Sequence, residues 1–401
     1  MISDFAKNAI VLGLLAAVGP FAIDMYLPAL PTIAADLQAS TAATQMTLMV
    51  FFVTFGVAQL VYGPVADAVG RKPPLYFGLA VFTLAGIGCA FAPTIGALIA
   101  FRFVQGIGAA VCMVVPRAVI RDLHTGAEAA RLMALVMLVL SVSPILAPIG
   151  GSGLIVLFGW RSVFVAAAIA SLLALLLVAL VLKETRPADQ RIAMSVPVIL
   201  RHYASLLRHR RFLGLTFIGG FGMASFFVFL ASSSFIYIDH FGMTPTEYSL
   251  AFSLNAVGFI GASQFAGWLA QRFGLSRVLT AAVSGYSAAA VLLLLLTLAG
   301  FHGLVVLTAM LFVAFACLGL VIPSTMVLSL EEHGPIAGIA SALGGTLQFA
   351  AGAVMIVAAS LLFDGTSLPM VGLIALCSVV SFTLTRLTPG APKHALGLPA
   401  E

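Results

Sequence analysis

The sequence predicts an all-α integral membrane protein of twelve transmembrane helices, built as two halves of six helices each. Of its 401 residues, 62% are hydrophobic and only 8% are charged, and the mean hydropathy is +1.16. A soluble domain needs more charge to cover its surface, whereas helices satisfy their own backbone hydrogen bonds inside lipid. The apolar residues also form long runs, and the basic residues lie mainly between those runs.

Twelve apolar runs are long enough to cross a hydrocarbon core of ~30 Å, which takes about 20 helical residues. The first run follows Lys7 and could be taken for a signal peptide, but Asp24 interrupts it and eleven more runs follow, so we interpret it as a retained helix. In chain order the predicted spans are Ile10–Leu30, Ala42–Tyr62, Leu75–Phe91, Ile95–Val115, Leu132–Gly151, Val163–Leu182, Phe212–Tyr237, Ser249–Leu269, Val278–Ala299, Leu304–Pro323, Ile336–Phe363 and Pro369–Leu387.

The basic residues predict the orientation. With both termini in the cytoplasm, 17 of the 19 lysines and arginines fall in segments on the inner side. Arg161 lies in an outer loop and Arg102 lies inside a helix. The positive-inside rule therefore predicts a multi-pass membrane protein with both ends cytoplasmic, and we expect its membrane to be a bacterial inner membrane. This topology explains the net charge of +5 without a nucleic-acid partner.

The longest connection, from Lys183 to Arg211, holds seven basic residues and divides the chain. We predict a first six-helix bundle over residues 1–182, a cytoplasmic linker over 183–211 and a second bundle over 212–401. The segment that begins at Gly63 recurs at Gly267, with glycines and an alanine at a constant offset of 204 residues. Parallel half-repeats are one way to build a transporter whose site lies between the halves.

Ionisable residues inside a membrane cost about 2.5–3.5 kcal/mol on insertion scales, so they are candidate functional residues. Asp24 and Arg102 are the clear cases. Counting along their helices places both roughly 10 Å below the outer face, and we expect them to be neighbours that couple transport to protons. The alternatives are an Asp24 that reaches the outer surface and an Arg102 that only clamps helices together. In the second half, the same offset of 204 residues places Val228 at the position that corresponds to Asp24 and Val306 at the position that corresponds to Arg102.

Two further groups are candidates for conformational roles. Pro144 and Pro148 share one helix face, beside a ladder of small residues formed by Ser143, Ala147 and Gly151. Small residues let helices approach closely and prolines bend them, although ordinary membrane packing uses the same residues.

At the cytoplasmic surface, Asp67 and Arg71 could form a latch. Asp67 would meet the N-terminus of the eleventh helix near Ile336–Gly338, and Arg71 would pair with Asp122. A simple topology signal is the alternative.

Candidate substrate contacts are methionine, aromatic and neutral polar side chains within the predicted spans. Taken singly, each is more typical of packing or lipid contact. Together they would suit varied and moderately apolar substrates. They are Gln45, Met49, Gln105, Phe229, Asn255 and Gln348.

This sequence resembles the major facilitator superfamily over nearly the whole chain, and four segments of its first half carry the motifs. The loop Gly63-Pro-Val-Ala-Asp-Ala-Val-Gly-Arg-Lys72 is similar to its loop signature, and the segment from Arg102 to Ala110 resembles its fourth-helix arginine motif. Ser143–Gly151 resembles the fifth-helix motif of its drug/proton antiporters. Ile23–Pro31 resembles the first helix of the Bcr/CflA drug-resistance branch. Two positions depart from the pattern: Ala147 stands where many antiporters have Gly, and Gln271 replaces Asp67 in the second-half loop.

The resemblance implies a proton-coupled exporter of bicyclomycin- or chloramphenicol-like drugs. Its expected partners are a small-molecule substrate, protons and the lipid bilayer; it is expected to be a monomer, with no cofactor and the proton gradient as its energy source. The residues with implied gating or hinge roles are Gly63, Asp67, Gly70, Arg71, Asp122, Pro144, Pro148, Gly150 and Gly151.

Other function classes fit less well. A proton-coupled importer or exporter of a small metabolite or siderophore-like compound is the alternative. The sequence holds no metal-binding His/Glu spacing, nucleophile elbow or Gly-rich phosphate loop of the kind that a membrane enzyme would use. Its four cysteines are isolated in apolar runs, and we interpret them as packing residues.

Overall fold

The computed structural model describes residues 4–191 and 195–388, and within them it contains twelve helical spans long and apolar enough to cross a membrane. The predicted all-α fold with twelve spans is confirmed. The spans, numbered in chain order below, are Phe5–Asp36, Thr41–Val69, Lys72–Ala90, Ile95–Leu123, Arg131–Phe158, Arg161–Leu180, Arg210–His240, Pro245–Phe273, Leu275–Leu298, Leu304–Glu331, Ala337–Leu362 and Leu368–Leu387.

The first span is a broken helix, which the sequence analysis treated as continuous. An α-helix runs from Asp4 to Asp24, a 3₁₀ turn covers Leu27–Ala29, and a second short α-helix covers Leu30–Asp36. Pro28 lies four residues after Asp24, so it cannot donate the backbone hydrogen bond that the carbonyl of Asp24 would accept in an unbroken helix. The break therefore begins at the one carboxylate deep in this span.

Two second-half spans are also irregular. The seventh span is an α-helix over Arg210–Ser234 that continues as a π-helix over Phe235–His240. The eighth is interrupted at Phe265, between α-helices Pro245–Gln264 and Ala266–Phe273. By contrast, the helix that holds the fifth span runs without interruption over Gly126–Phe158, through both of its prolines.

The segment predicted as a linker contains a 3₁₀ turn at Ala188–Gln190 and an α-helix over Val196–Arg208, which we call the linker helix. It packs against the start of the seventh span and the eleventh span. The two-domain division itself stays a prediction.

The two halves meet along two seams, between the second and eleventh spans and between the fifth and eighth. One end of the bundle carries Arg71, Arg121, Arg211 and Arg272 at helix ends and loops, and we call it the basic face. The other end, which carries Asp36 and Arg161, is the opposite face. Because the number of spans is even, the first span begins and the twelfth span ends at the same face, which is the basic face.

Candidate functional site

Asp24 lies at the break of the first span, and its carboxylate has no hydrogen bond or ion pair with any other described residue. Its side chain is buried, with a relative exposure of 5%. The hydroxyl of Tyr248, in the eighth span, is close enough to interact with it electrostatically. An unpaired buried carboxylate is costly when charged, so its protonation state depends strongly on what surrounds it.

Arg102 is fully buried in a cage of aromatic rings. Its Cζ atom lies 4.2 Å from the ring centroid of Phe51, 4.8 Å from that of Tyr26 and 5.9 Å from that of Phe164. Its Nη1 donates to Oε1 of Gln105 at 2.8 Å, while Nε and Nη2 have no partner among the described residues. Cation–π attraction therefore replaces most of the hydrogen bonding that a buried guanidinium normally requires.

The predicted pairing of Asp24 with Arg102 is wrong for this structure. Asp24 lies at the end of the unbroken α-helix Asp4–Asp24, and an equal depth of two residues does not determine the direction in which their side chains point. The chain turns after Asp24, and the ring of Tyr26 lies beside Arg102; the Tyr26 hydroxyl bonds Thr47 at 2.6 Å. The two charged residues belong to one region but do not form an ion pair.

The small-residue ladder of the fifth span faces this break. A Cβ atom added at Gly151 would lie 2.4 Å from the carbonyl oxygen of Met25, so only glycine lets the fifth span approach the broken segment so closely. Ser143 and Ala147 are buried on the same ladder, whereas Gly150 is exposed with nothing within 4 Å of an added Cβ. The predicted close approach is thus confirmed at Gly151, and Gly150 has no part in it.

The same part of the fifth span is hydrogen-bonded to the other half. Oγ of Ser249 donates to the carbonyl oxygen of Pro148 at 2.9 Å, and Oγ of Ser253 donates to that of Ile145 at 2.8 Å. Both serines lie in the first half of the eighth span, which starts at the opposite face. These bonds join the halves between the midplane and the opposite face.

The predicted substrate contacts do not form one set. Nε2 of Gln45 donates to the carbonyl oxygen of Ala231 at 3.1 Å and so joins the second and seventh spans. Gln105 holds Arg102, and Phe229 packs inside the second half against Phe252 and Phe315 at ring distances of 5.6 and 5.1 Å. The side chains of these three residues are therefore engaged in contacts within the protein, although Oε1 of Gln45 and Nε2 of Gln105 have no hydrogen-bond partner among the described residues.

The other three predicted contact residues are Met49, Asn255 and Gln348. Met49 and Gln348 are half-buried, and Gln348 lies beside Gly219 of the seventh span. Asn255 is buried, and its Nδ2 donates within its own helix to Ala251 at 3.1 Å. One apolar groove of about 600 Å³, between the second, third and fourth spans, is lined by none of the six.

An aromatic cluster that the sequence analysis missed joins the halves near mid-depth. Phe52 of the second span stacks on Phe227 of the seventh at 4.3 Å, and Phe349 of the eleventh lies 5.3 Å from Phe227 and 5.1 Å from Phe55. The 30 phenylalanines of this chain are too many for the sequence alone to indicate which ones meet.

At the basic face, the predicted pair of Arg71 and Asp122 is confirmed, with Nε to Oδ2 at 2.7 Å. Nη1 of Arg71 also donates to Asp67 at 2.7 Å. Burial lowers the pKa of Arg71, but its hydrogen bonds to the two carboxylates outweigh that effect and raise it. The predicted contact of Asp67 with the eleventh helix near Ile336–Gly338 is wrong: its partners are Arg71 and Arg186.

Glu184 completes this cluster from the start of the linker, and the sequence analysis missed it. Its carboxylate accepts the backbone N–H groups of Arg71 at 2.9 Å and Lys72 at 3.0 Å. Burial raises the pKa of Glu184, but these bonds outweigh it and hold the pKa below its ordinary value. Gly70 has a φ of +100°, and an added Cβ would lie 2.7 Å from Oε2 of Glu184, so the loop requires glycine there. Gly63 makes only an ordinary contact with Val114.

We call Asp67, Arg71, Asp122, Glu184 and Arg186 the ionic cluster. All five belong to the first half or to the first residues of the linker, so the cluster fixes the loop between the second and third spans to its own half. The second half has a different arrangement: Arg211 and His209 pair with Glu332, and the ring of His209 lies 4.9 Å from that of His333.

Comparison with known proteins identifies the class. The family model described as "Major Facilitator Superfamily" matches residues 12–356, and the chain belongs to that family. An "Uncharacterized MFS-type transporter YdgK" of Bacillus subtilis is 37% identical over 86% of this chain and 87% of its own length. A "Bicyclomycin resistance protein homolog" of Haemophilus influenzae is 31% identical, covering 93% of each chain.

Solved structures agree on the fold. A D-xylose-proton symporter superposes with a TM-score of 0.73 at 15% identity, over 95% of this chain and 98% of that one. The chain is therefore a multi-pass membrane transporter and not an enzyme, and its drug-resistance relative is consistent with the Bcr/CflA-type branch that the sequence suggested.

Proposed function

We propose that this protein exports drug-like small molecules from a bacterial cytoplasm across the inner membrane in exchange for protons, with Asp24 as the proton-carrying group. The observation that carries the proposal is the unpaired, buried carboxylate of Asp24 at the break of a membrane-spanning helix. Broken helices inside membranes are tolerated where they line a site, and a carboxylate inside the membrane is a candidate functional group, proton relay being one of its established roles.

The surroundings of Asp24 support coupling between proton binding and conformation. The broken segment packs against the fifth, seventh and eighth spans, so it contacts both halves. Gly151 places the fifth span against Met25, and the serines of the eighth span bond the fifth span nearby. A change in the charge of Asp24 therefore acts at a point where the halves are held together.

The drug class rests on resemblance and on one relative. The fifth-helix segment is similar to that of drug/proton antiporters, and the relative from Haemophilus influenzae is named for bicyclomycin resistance. With the basic face in the cytoplasm, the hydrogen bonds of Gln45, Ser249 and Ser253 close the outer side of the protein. That arrangement suits the step in which an exporter accepts substrate from inside.

The first test replaces Asp24 by asparagine, which keeps the shape and hydrogen-bonding capacity of the side chain but cannot titrate. In proteoliposomes under an imposed pH gradient, we expect Asp24→Asn to abolish uphill transport of a drug to which the wild-type protein gives resistance. Binding of an uncharged drug should persist.

Asp36→Asn is the matched control. Asp36 lies in the same span but at the opposite face, where it is about half exposed and pairs with Arg161 at 2.7 Å. We expect this variant to keep gradient-driven transport. Robust uphill transport by Asp24→Asn would overturn the proton-carrier assignment, and accumulation in the reverse direction by the wild-type protein would favour import.

The orientation is tested separately. A cysteine at His302, an exposed residue in the loop between the ninth and tenth spans, should react in intact cells with a thiol reagent that cannot cross the membrane. A cysteine at Ser205, exposed on the linker helix, should react only after the cells are opened. The opposite pattern would place the basic face outside.

A further inference from the structure

The linker helix carries an exposed surface that neither the transport proposal nor the family assignment explains. Its inner side is packed: Leu206 is buried against Ala340 and Leu343 of the eleventh span. The hydroxyl of Tyr203 donates to the carbonyl oxygen of Leu60, in the second span, at 3.2 Å. The helix therefore lies across the seam between the second and eleventh spans at the basic face.

An apolar stripe runs along the flank of this helix, beside Tyr203. Val196, Leu200 and Leu207 are separated by four and seven residues, which places them on one line of an α-helix. They are exposed by 49, 59 and 46%. A stripe of this kind is unfavourable in water and requires an apolar partner.

Arginines border the stripe. Arg201 directly follows Leu200 and Arg208 directly follows Leu207, so both lie about 100° further around the helix than the stripe. Arg210 begins the seventh span, two residues after the linker helix ends. All three are exposed, and none has an acidic partner among the residues that the structure describes. At the same face, the carboxylates of Asp122 and Glu332 are paired with other arginines, Arg71 and Arg211.

The position of the helix along the membrane normal matches this chemistry. It ends two residues before the seventh membrane span begins, and it is bonded to a carbonyl nine residues inside the basic-face end of the second span. The helix therefore lies at the boundary between hydrocarbon and water. Helices with an apolar stripe flanked by Lys or Arg bind at that boundary, and basic groups there attract anionic headgroups.

We propose that the linker helix is an interfacial helix that binds anionic phospholipid, with Val196, Leu200 and Leu207 in the acyl-chain region and Arg201, Arg208 and Arg210 at the headgroups. The same helix contacts the second span through Tyr203 and the eleventh through Leu206. Lipid bound to it is therefore held at the seam along which the halves must move. The proposal concerns a lipid surface and does not depend on which substrate is transported.

The test uses the full chain in phosphatidylcholine nanodiscs with a tryptophan introduced at Leu200. A fixed fraction of the lipid is brominated, as phosphatidylglycerol in one sample and as phosphatidylcholine in the other. The signal of the new tryptophan is the difference from the parent chain, which contains Trp160 and Trp268. We expect at least twofold stronger quenching by brominated phosphatidylglycerol, and a loss of that difference at high salt.

Three matched variants make the result specific. The double change Arg201→Gln and Arg208→Gln should keep quenching but remove the preference for phosphatidylglycerol. Arg272→Gln with Arg277→Gln removes the same charge elsewhere on the basic face and should leave the preference intact. A tryptophan placed instead at Ser205, on the far side of the helix, should be quenched weakly.

Three outcomes would overturn the proposal. Equal quenching by the two lipids would remove the anionic preference, and quenching at Ser205 as strong as at Leu200 would contradict the orientation of the stripe. Absence of quenching at Leu200 by either lipid would mean that the stripe is out of the bilayer and faces a soluble partner.

Discussion

The two halves of this transporter stabilise their membrane interior by different means. The first half buries a carboxylate and a guanidinium, Asp24 and Arg102, whereas the charged residues of the second half's spans lie within four residues of a helix end. In the second half, interior polar contacts are made by hydroxyls: Tyr248 bonds Ser233 at 3.0 Å and Tyr237 bonds Thr308 at 3.1 Å. Hydroxyls stay neutral over a wide pH range, while a carboxylate gains or loses its charge.

Under the proposed function, this difference assigns the change of charge to the first half. A proton that binds Asp24 would change the charge of the first half's interior, while the hydroxyls of the second half would stay neutral. The replacement of Asp67 by Gln271 in the repeated loop follows the same trend at the basic face, where the first half uses a cluster of five charged residues.

The largest effect in this comparison should come from Arg102. Arg102→Ala removes a fully buried side chain together with three ring contacts, and we expect a loss of about 3 kcal/mol of stability and of most transport. Melting in detergent and uptake into proteoliposomes measure the two.

The pH dependence of Arg102→Ala sharpens the comparison. Because Arg102 and Asp24 form no ion pair, any residual transport should keep the wild-type pH profile. A displaced profile would show that the two groups meet in another conformation of the cycle.

A smaller loss of stability is expected from changes at the basic face, where the two halves differ in the number of carboxylates that surround an arginine. Arg71→Ala removes the arginine that hydrogen-bonds both Asp67 and Asp122 and leaves Arg186, at 3.7 and 4.0 Å, as their more distant arginine partner. This change should cost about 2 kcal/mol of stability, since hydrogen bonds to charged groups contribute ~1.5–3 kcal/mol. Arg211→Ala disrupts a pair with Glu332 alone and should cost less. Equal losses of melting temperature in the two variants would contradict the idea that the first half depends more on its ionic cluster.

The smallest expected effect concerns how the ionic cluster makes the stability of the protein depend on pH. The pKa of Glu184 is held below its ordinary value of 4.5 in the folded protein, so its bonds contribute stability above that value and lose it as the pH falls through the lower, folded pKa. We expect Glu184→Gln to reduce the fall in melting temperature below about pH 4.5. If the melting temperature of the variant falls at acid pH as much as that of the wild-type protein, other carboxylates determine the acid sensitivity.

Much of the local chemistry of the site was predictable, but its pairings were only partly so. Arg71 and Asp122 were predicted to pair because both lie next to helix ends at the same membrane face. Glu184 could have been suspected as an acid directly after the sixth span, within a basic segment. The separation of Asp24 from Arg102 was not predictable from a count of depth along the helices, since it depends on the direction in which each side chain points and on which rings fill the space beside the guanidinium.

The sequence by itself determined the membrane fold, the number of spans, the side on which the basic residues collect and the presence of two buried charges. These follow from composition and spacing, because hydrocarbon thickness and the cost of burying charge act on each segment separately. Only the tertiary structure decided that Asp24 stands alone, that Phe52 meets Phe227 and Phe349, that the ionic cluster stays within the first half and that the linker helix crosses the seam. Each of these depends on contacts between residues far apart in the chain, where many similar side chains compete and packing selects among them.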